Sequence, residues 1–176
     1  MSDATAAPPD EAAPTPEPPT MHGCLVSDSY GQVVLHPSRD QYVGVVRALL
    51  DDGFEMCVDV TAVDYLLMPD RAMVQGITAE RFEIVTNLLS MAGRKRIRLR
   101  VQVPEDDASI DSLFDLHPGT EAMEREIYDM FGITFNNHPD LTRILMPEDW
   151  EGYPLRKDYE TGIIPVQFSP DFGGPR

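Results

Sequence analysis

The stretch RFEIVTNLLSMAGRKRIRLRVQV, residues 81–103, decides the predicted fold. In its second half, apolar residues alternate strictly with cationic or polar ones, the apolar set being Ile97, Leu99, Val101 and Val103. Successive side chains of a strand point to opposite faces, so this period of two predicts a half-buried strand. The first half places Phe82, Ile84 and Thr86 on one face of another strand, and Gly93 provides a turn. An antiparallel hairpin is therefore expected here.

Further elements are predicted on the N-terminal side of this hairpin. MCVDVTAVDYLL, from Met56, is rich in β-branched residues and indicates a strand. Before it, RDQYVGVVRALLDDG carries apolar residues at three- and four-residue steps, with Ser38 as the expected N-cap and Gly53 as the stop. That pattern is typical of a helix. GCLVSDSYGQVVLHP indicates two short strands around a Ser-Tyr-Gly turn.

Two helical pieces are predicted on the C-terminal side, beyond Pro104. SIDSLFDL is short and ends before His117. The second piece follows Thr120 as its N-cap and stops at Gly132. Together these elements predict an α+β fold: a two-layer domain over residues 21–135, in which helices pack on a small mixed or antiparallel sheet.

Both ends of the chain differ from this domain. Residues 1–20 hold six prolines and four acids but no basic or aromatic residue, and they lack the features of a signal peptide. They cannot bury enough apolar surface to offset their ordering entropy, so they are expected to be disordered. Residues 136–176 lose the helical period but keep many large apolar side chains. They are expected to form an extended C-terminal tail that docks on a partner protein, in preference to folding back on its own domain.

The composition excludes several classes of function. A net charge of −16 argues against nucleic acid and against anionic lipid as partners, since both need clustered cations. No run of eighteen apolar residues is present, so membrane contact is expected only through other proteins. Cys24 and Cys57 are too few for a structural zinc or an iron–sulfur cluster. Nucleotide-binding glycine loops and the hydrolase elbow motif are missing.

Five of the fourteen basic residues lie together between Arg94 and Arg100. Such a stripe on an acidic protein could bind an acidic partner. It is more often the solvated face of a half-buried sheet, which is the favoured interpretation.

The predicted helix after Thr120 carries acids together with their own counter-charge, since Arg125 is spaced to pair with both Glu121 and Asp129. Glu124 and Glu126 diverge by roughly 200° around the helix axis and cannot chelate a metal together. No catalytic, cofactor-binding or metal-binding residue is therefore expected in this chain. The alternative of a stand-alone hydrolase or isomerase rests on three residues of this region: Glu124, Asp129 and His138. His138 lies beyond the helix stop, so spacing does not place it on the same face.

Three motifs follow one another in this part of the chain: ERE-I-YDMFGI at 124–133, HPDL-T-RIL at 138–145 and G-Y-PLRKDY at 152–159. Together they resemble the signature of the 30 kDa (C-type) subunit of respiratory complex I, the proton-pumping NADH:quinone oxidoreductase. The same family includes the J subunit of the photosynthetic NDH-type complex. The string RILMPEDW, at residues 143–150, is similar to the sequence of that J subunit. Two residues depart from the family pattern: Thr142 stands where a basic residue is common, and Met123 where an aromatic residue is common. Both lie at the edge of the motifs, so they affect local contacts and leave the resemblance intact.

The resemblance implies a subunit without a redox centre of its own, peripheral on the cytoplasmic face of the cell membrane. Its expected partners are the quinone-site subunit (D type) and the iron–sulfur subunits (B and I types). The complex is expected to use iron–sulfur clusters, a quinone and, with NADH, FMN. Structural and docking roles carry over to the signature positions, which are Glu124, Arg125, Glu126, Tyr128, Asp129, Phe131, Gly132, His138, Pro139, Leu141, Arg143, Pro154, Leu155, Arg156, Lys157 and Asp158.

The motifs do not identify the electron donor. The alternative of the same ancestry is an equivalent subunit of a membrane hydrogenase, or of a complex fed by ferredoxin or another reduced carrier. The neighbouring genes would separate these possibilities, because the electron-input subunits differ.

Overall fold

A mixed six-stranded sheet forms the framework of the fold. The computed structural model describes residues 18–160. In chain order, the strands are β1 (Thr20–Met21), β2 (Cys24–Ser29), β3 (Gln32–His36), β4 (Met56–Asp64), β5 (Phe82–Ser90) and β6 (Lys95–Val103). Their order across the sheet is β1-β2-β3-β6-β5-β4, and every neighbouring pair is antiparallel except β3 and β6, which run parallel.

Two helices and a smaller sheet complete the domain. The helices are α1 (Tyr42–Asp51) and α2 (Glu121–Phe131), the latter preceded by a 3₁₀ turn at Pro118–Thr120. The smaller sheet pairs β7 (Ser109–Asp111) with β8 (Thr134–Asn136) in parallel. This architecture confirms the α+β prediction.

The predicted hairpin is present as β5 and β6. Ile84 lies opposite Val101, and Thr86 lies opposite Leu99. The inward-facing residues of both strands are fully buried, as the period of two predicted. The outward-facing arginines Arg98 and Arg100 are only half-buried.

Both helices contribute to one hydrophobic core on the inward face of the sheet. Helix α1 buries Tyr42, Val45, Val46 and Leu49 in this core. Helix α2 buries Ile127, Met130 and Phe131. The core includes one polar contact, in which the Tyr42 hydroxyl lies 2.6 Å from Thr86 Oγ1. Because both groups are buried, each depends on the other for its hydrogen bond.

The segment of residues 65–81 covers part of the opposite face. Arg71 donates to Gln102 Oε1 on β6 at 2.6 Å, and a Cβ placed on Gly76 would lie 3.2 Å from a methyl group of Leu25 on β2. Beside this segment, Glu83 is buried and accepts two hydrogen bonds from Arg100, at 2.6 and 3.0 Å. One arginine of the basic stripe is therefore neutralised within the sheet.

One predicted helix is wrong: the start of SIDSLFDL is the strand β7. Ile110 is buried against the core, and the strand pairs with β8, which follows α2. Eight residues are too few to stabilise a helix by local hydrogen bonds alone. The parallel partner, which spacing does not reveal, supplies the hydrogen bonds instead.

The expected helix caps are also partly wrong. Ser38 donates its N–H and hydroxyl to Gln41 Oε1, at 3.0 and 3.2 Å, and α1 begins only at Tyr42. Thr120 is the N-cap residue of α2, as predicted, but its hydroxyl makes no capping hydrogen bond and donates instead to the side chain of Glu124 at 3.0 Å. The stop at Gly132 is confirmed, since its φ of +70° is a left-handed conformation that favours glycine.

The ends of the chain are described only in part. Residues 1–17 of the expected disordered segment, and residues 161–176 of the expected docking tail, lie outside the described range. Within that range Thr20 belongs to β1 and pairs with Leu25, so the boundary of the domain lies earlier than residue 21.

The Tyr42–Thr86 hydrogen bond generates a test of the core. We expect Tyr42→Phe to lower the free energy of unfolding by about 1–3 kcal/mol, because it leaves the buried Thr86 hydroxyl without its partner. Adding Thr86→Val should recover part of that loss. Urea denaturation measures both, with Tyr30→Phe as the matched control at a fully exposed tyrosine. An additive double variant would contradict the coupling.

Candidate functional site

The three sequence motifs come together around α2. Residues 138–159, called the strap below, leave β8, return across α2 and reach the end of β4. The strap has no helix or strand of its own. It is held by hydrogen bonds to side chains and carbonyl groups of the domain and by packing of Leu141 and Met146 against the core. Two buried carboxylates are central to the hydrogen bonding.

Asp129 is the first of these carboxylates. Its side chain is fully buried, and Oδ2 accepts hydrogen bonds from three successive main-chain N–H groups of the strap, those of Ile144 (3.0 Å), Leu145 (2.7 Å) and Met146 (2.8 Å). Arg143 donates to Oδ1 at 2.6 Å. Burial alone would raise the pKa of Asp129, but these hydrogen bonds and the guanidinium hold it below its ordinary value.

Arginines extend this network along the strap. Arg143 also donates to the carbonyl oxygens of Trp150 (3.0 Å) and Gly152 (3.2 Å), which closes the strap into a loop. Arg125 pairs with Glu121 at 3.1 Å, as predicted. The second predicted pair, between Arg125 and Asp129, is wrong. Arg125 turns to the main-chain oxygens of residues 142 and 143, because Asp129 is already saturated by the strap.

The strap also caps the C-terminal end of α2. Leu155 N–H donates to Met130 O at 3.1 Å, and Arg156 Nε donates to Phe131 O at 2.5 Å. Both carbonyls belong to the last turn, where helix carbonyls lack partners within the helix. A Cβ on Gly132 would lie 2.5 Å from the Tyr153 ring, so only glycine allows this approach. The glycine that ends α2 therefore also seats the strap.

Asp64, at the end of β4, is the second buried carboxylate. It accepts hydrogen bonds from Lys157 N–H (2.9 Å) and Leu66 N–H (2.9 Å) and forms an ion pair with Arg81 at 3.0 Å. Arg81 also pairs with Asp158 of the strap at 2.7 Å, and with Glu105. Burial acts to raise the pKa of Asp64, but Arg81 and the two N–H groups lower it.

Sequence reasoning missed Asp64 and Arg81, which lie outside the motifs. The two residues are seventeen positions apart and meet because Asp64 pairs with Phe82 across β4 and β5. The available signal in the sequence was Asp64 itself, a charged residue at the end of the apolar pattern that predicts strand β4. Predicting the contact with Lys157 would have required the path of the strap.

Glu124 has a different environment from the one predicted. Its side chain is fully buried and has no arginine or lysine partner among residues 18–160. It accepts hydrogen bonds from Leu113 N–H (2.8 Å), Thr120 Oγ1 (3.0 Å) and Ser112 Oγ (2.5 Å). Burial raises the pKa of Glu124 above its ordinary value, although these hydrogen bonds oppose the shift. It links α2 to the chain that follows β7.

His138 lies beside Glu124, which spacing alone had not placed there. Its Nε2 is 4.0 Å from Glu124 Oε2 and 3.2 Å from Glu121 O. Asp140 N–H donates to Nδ1 at 3.1 Å, so Nδ1 is an acceptor and the ring proton belongs on Nε2. Both side chains are fully buried, and neither they nor Asp129 line any of four cavities found at the surface of residues 18–160.

This arrangement favours architecture over acid–base chemistry. A catalytic carboxylate needs an approach for substrate, whereas Glu124 and Asp129 are enclosed and occupied by donors of the chain itself. Within residues 18–160, no group of three or more histidine, cysteine or acidic side chains is arranged to bind a metal ion. The three residues of the catalytic alternative are not gathered into one site, because Glu124 and His138 adjoin each other and Asp129 binds elsewhere.

The strap presents large apolar side chains to solvent. Ile144 is 41% exposed, Leu145 60%, Trp150 40% and Leu155 47%. The prediction that residues 136–176 avoid their own domain is wrong for the strap, because two buried carboxylates bind its main-chain N–H groups. Contact of its exposed side chains with another protein stays a prediction. The remaining signature residues divide between exposed positions, at Glu126, Pro139, Lys157 and Asp158, and half-buried ones, at Tyr128, Leu141 and Pro154.

The hydrogen bonds of Asp129 generate a prediction for stability in acid. Asp129→Asn should lower the free energy of unfolding by about 3–5 kcal/mol at neutral pH, because it removes the charge that Arg143 and three N–H groups surround. A lowered folded-state pKa stabilises the fold above the ordinary aspartate value, and this stability is lost as pH falls through the folded-state pKa. The wild-type advantage over Asp129→Asn should therefore shrink below about pH 4.

Chemical denaturation at a series of pH values measures this difference. Asp149→Asn, at an exposed carboxylate of the same strap, is the matched control and should behave as wild type. An Asp129→Asn variant as stable as wild type at neutral pH would contradict the role of Asp129 as the anchor.

For Glu124 we expect stability to depend on pH in the opposite direction. A carboxyl group with a raised folded-state pKa favours the fold most below the ordinary value, and this contribution is lost as pH rises through the folded-state pKa. Glu124→Gln stays neutral, so its stability relative to wild type should increase from about pH 4 towards neutral pH. Glu126→Gln, at the exposed glutamate of the same helix, should show no such trend. A constant difference across the pH range would contradict the raised pKa.

Comparison with known proteins agrees with the motifs. The family model described as "Respiratory-chain NADH dehydrogenase, 30 Kd subunit" matches residues 35–163. The C-type subunit of NADH-quinone oxidoreductase from Saccharopolyspora erythraea is 44% identical over 141 residues, which cover 78% of this chain and 53% of that protein. The corresponding subunit from Geobacter sulfurreducens is 43% identical over 135 residues, covering 76% of this chain and 78% of that protein. The chain thus spans about half the length of the first of these relatives.

Solved structures show the same fold. A trypsin-resistant fragment (1–134) of Nqo5 has 33% sequence identity and a TM-score of 0.60, covering 68% of this chain and 90% of the fragment. A chain of the membrane-bound sulfane sulfur reductase, an archaeal respiratory membrane complex, has a TM-score of 0.65 at 20% identity and covers 78% of this chain and 77% of its own. The second likeness concerns the fold alone. On the extent of the family match and the identity of its relatives, the chain belongs to the respiratory-chain NADH dehydrogenase 30 kDa subunit family.

Proposed function

We propose that this chain is a non-redox, architectural subunit in the peripheral arm of a proton-translocating NADH:quinone oxidoreductase. In this role it supports the quinone-site subunit and the neighbouring iron–sulfur subunits, and the isolated chain is inactive. The observation that carries the proposal is the strap. Its main chain is fixed by Asp129 and Asp64, while its largest apolar side chains remain in solvent.

A fixed main chain with exposed apolar side chains is suited to docking. Association has to order the groups that make contact, and this cost falls when those groups are already held in place. Trp150 is of the residue type most enriched among the side chains that contribute most of the binding energy at interfaces. Large apolar groups this close together in sequence and exposed indicate a surface that a partner covers.

The cysteines support the absence of a redox centre in this chain. An iron–sulfur cluster is held by about four thiolate or imidazole ligands, and the whole sequence has two cysteines. Cys24 is buried in the core, where burial raises the pKa of its thiol. Burial also raises the pKa of Cys57 to about 11. Neither thiol is in the electropositive surroundings that favour a thiolate ligand.

Attachment to the membrane would then come from partner subunits, with this chain on the cytoplasmic face. Within residues 18–160 no helix has the length and apolar character needed to span a bilayer. The iron–sulfur clusters, the quinone and the FMN of the proposed complex would reside in other subunits.

Substitutions on the strap test the docking role. Leu145→Ser and Trp150→Ser should reduce the amount of assembled complex several-fold, because they remove exposed contact area without touching the anchoring hydrogen bonds. Activity per assembled complex should change little. Native gels of host membranes measure assembly, and NADH:quinone turnover is normalised to the assembled band.

Met91→Ser is the matched control, since Met91 is 58% exposed but lies at the opposite end of the sheet, after β5. The thermal midpoints of the purified variants should equal that of wild type. Normal assembly of both strap variants would contradict the proposal. Full assembly of Glu124→Gln together with loss of nearly all turnover would instead favour the catalytic alternative.

A further inference from the structure

A groove of about 940 Å³ opens at the end of the sheet that holds the β2–β3 and β5–β6 turns. Its lining combines apolar side chains, including Met21 and Phe54, with four cationic side chains. The cations are Arg94, Lys95, Arg96 and Arg98, of which the first three are exposed. This surface is far from the strap, which is anchored at the other end of β4 and β5.

The cations of the groove lack carboxylate partners in the part of the chain that the structure describes. None of the four forms an ion pair with another residue between 18 and 160, and Arg98 donates to the neutral side chain of Asn87 at 3.1 Å. Two acids also line the groove, but Asp52 is bound to His22 at 2.8 Å. The chain has 30 acidic residues to 14 basic ones, so a cluster of cations without carboxylate partners is unexpected.

The direction of the chain at the start of the described residues bears on what could reach this groove. β1 is antiparallel to β2, and Pro19 O accepts a hydrogen bond from Val26 N–H at 2.9 Å. Followed back from Pro19, the chain therefore runs beside β2 towards the turn at Tyr30. β3 starts after that turn and is parallel to β6, whose first residue is Lys95. At Pro18, the first described residue, the chain therefore lies on a course towards the end of the sheet that holds the cations.

We propose that the acidic segment of residues 1–17 occupies the groove and covers its cations. The segment carries Asp3, Asp10, Glu11 and Glu17 and no basic side chain. Seventeen residues reach about 56 Å when extended, at roughly 3.3 Å per residue, which is ample for a groove at the point of attachment. Because the segment is tethered there, its effective concentration at the groove is high, and weak contacts between exposed charges suffice.

In this contact, the basic stripe between Arg94 and Arg100 binds an acidic segment of the same chain. In the proposed contact, residues 1–17 compete with acidic segments of other proteins for the same cations, and salt that screens charges should weaken the contact. The proposal does not depend on the proposed role in a respiratory complex, since it involves only this chain.

Zero-length cross-linking of the full chain by a carbodiimide tests the contact. The reagent joins a lysine amine to a carboxylate as an amide, with net loss of one water taken up by the carbodiimide. The chain has two lysines, Lys95 in the groove and Lys157 in the strap, so Lys157 is an internal control. We expect peptide mass spectrometry to find Lys95 joined to Asp10, Glu11 or Glu17 within one chain, and Lys157 joined to none of them.

Charge dependence separates binding from mere proximity. The double variant Arg94→Gln and Arg96→Gln retains Lys95 and every carboxylate, yet the Lys95 product should fall several-fold at an unchanged thermal midpoint. Added NaCl at roughly 0.5 M should have the same effect, because it shortens the screening length to a few ångström.

Several results would overturn the proposal. These are no Lys95 product with residues 1–17, an equal yield at Lys157, or a yield that neither the double variant nor salt reduces. A product of twice the chain mass would assign the groove to a second copy, and would equally overturn it.

Discussion

The interaction on which this structure depends is the binding of main-chain N–H groups by buried carboxylates. Asp129 accepts three successive N–H groups of the strap on one oxygen, and Asp64 accepts another near its end. A segment without helix or strand lacks a regular ladder of backbone hydrogen bonds. The strap makes isolated turn hydrogen bonds, such as Trp150 N–H to Pro147 O at 3.0 Å, and any buried N–H group left unpaired is costly. The carboxylates meet that need and fix the strap at points roughly a dozen residues apart. Without them, the exposed side chains of the strap would have no defined position.

This use of carboxylates changes the meaning of the acidic composition. A net charge of −16 suggests a solvated surface, yet Asp64, Glu83, Glu124 and Asp129 are all buried. Three of them have an arginine partner. Glu124 accepts from hydroxyl and N–H donors and has no arginine or lysine partner within residues 18–160, so burial raises its pKa, whereas the pKa of Asp129 is lowered. A buried carboxyl group therefore has a lowered pKa at Asp129, where it anchors the strap, and a raised pKa at Glu124, where it links α2 to the chain that follows β7.

The division between fixed backbone and free side chains connects the fold to the proposed function. Arg143 and Arg156 are themselves strap residues, which donate to the carbonyl oxygens of Trp150 and Phe131 and lie over the Tyr153 ring. The aliphatic and indole groups are left outside. Exposed apolar side chains do not stabilise an isolated chain, whereas in an assembly they form a rigid contact surface. The groove at the far end of the sheet is chemically different, being cationic, so the two surfaces are suited to different occupants.

Local patterns in the sequence determined the parts of the fold whose partners are near in the chain. The β5–β6 hairpin, the inward faces of both strands, the two helices and the stop at Gly132 follow from periodicity and backbone preference. The order and spacing of the three motifs were enough to predict the family. Only the tertiary structure decided which charges meet. Arg125 was in reach of Asp129 by spacing, but Arg143 and three N–H groups take that carboxylate. Ser109–Asp111 became a strand because β8 lies beside it, and His138 came to lie next to Glu124 across the break at Gly132. Such contacts join residues from 11 to 93 positions apart, as at Leu113–Glu124 and Asp64–Lys157, and a distant partner has no effect on the local period of a sequence.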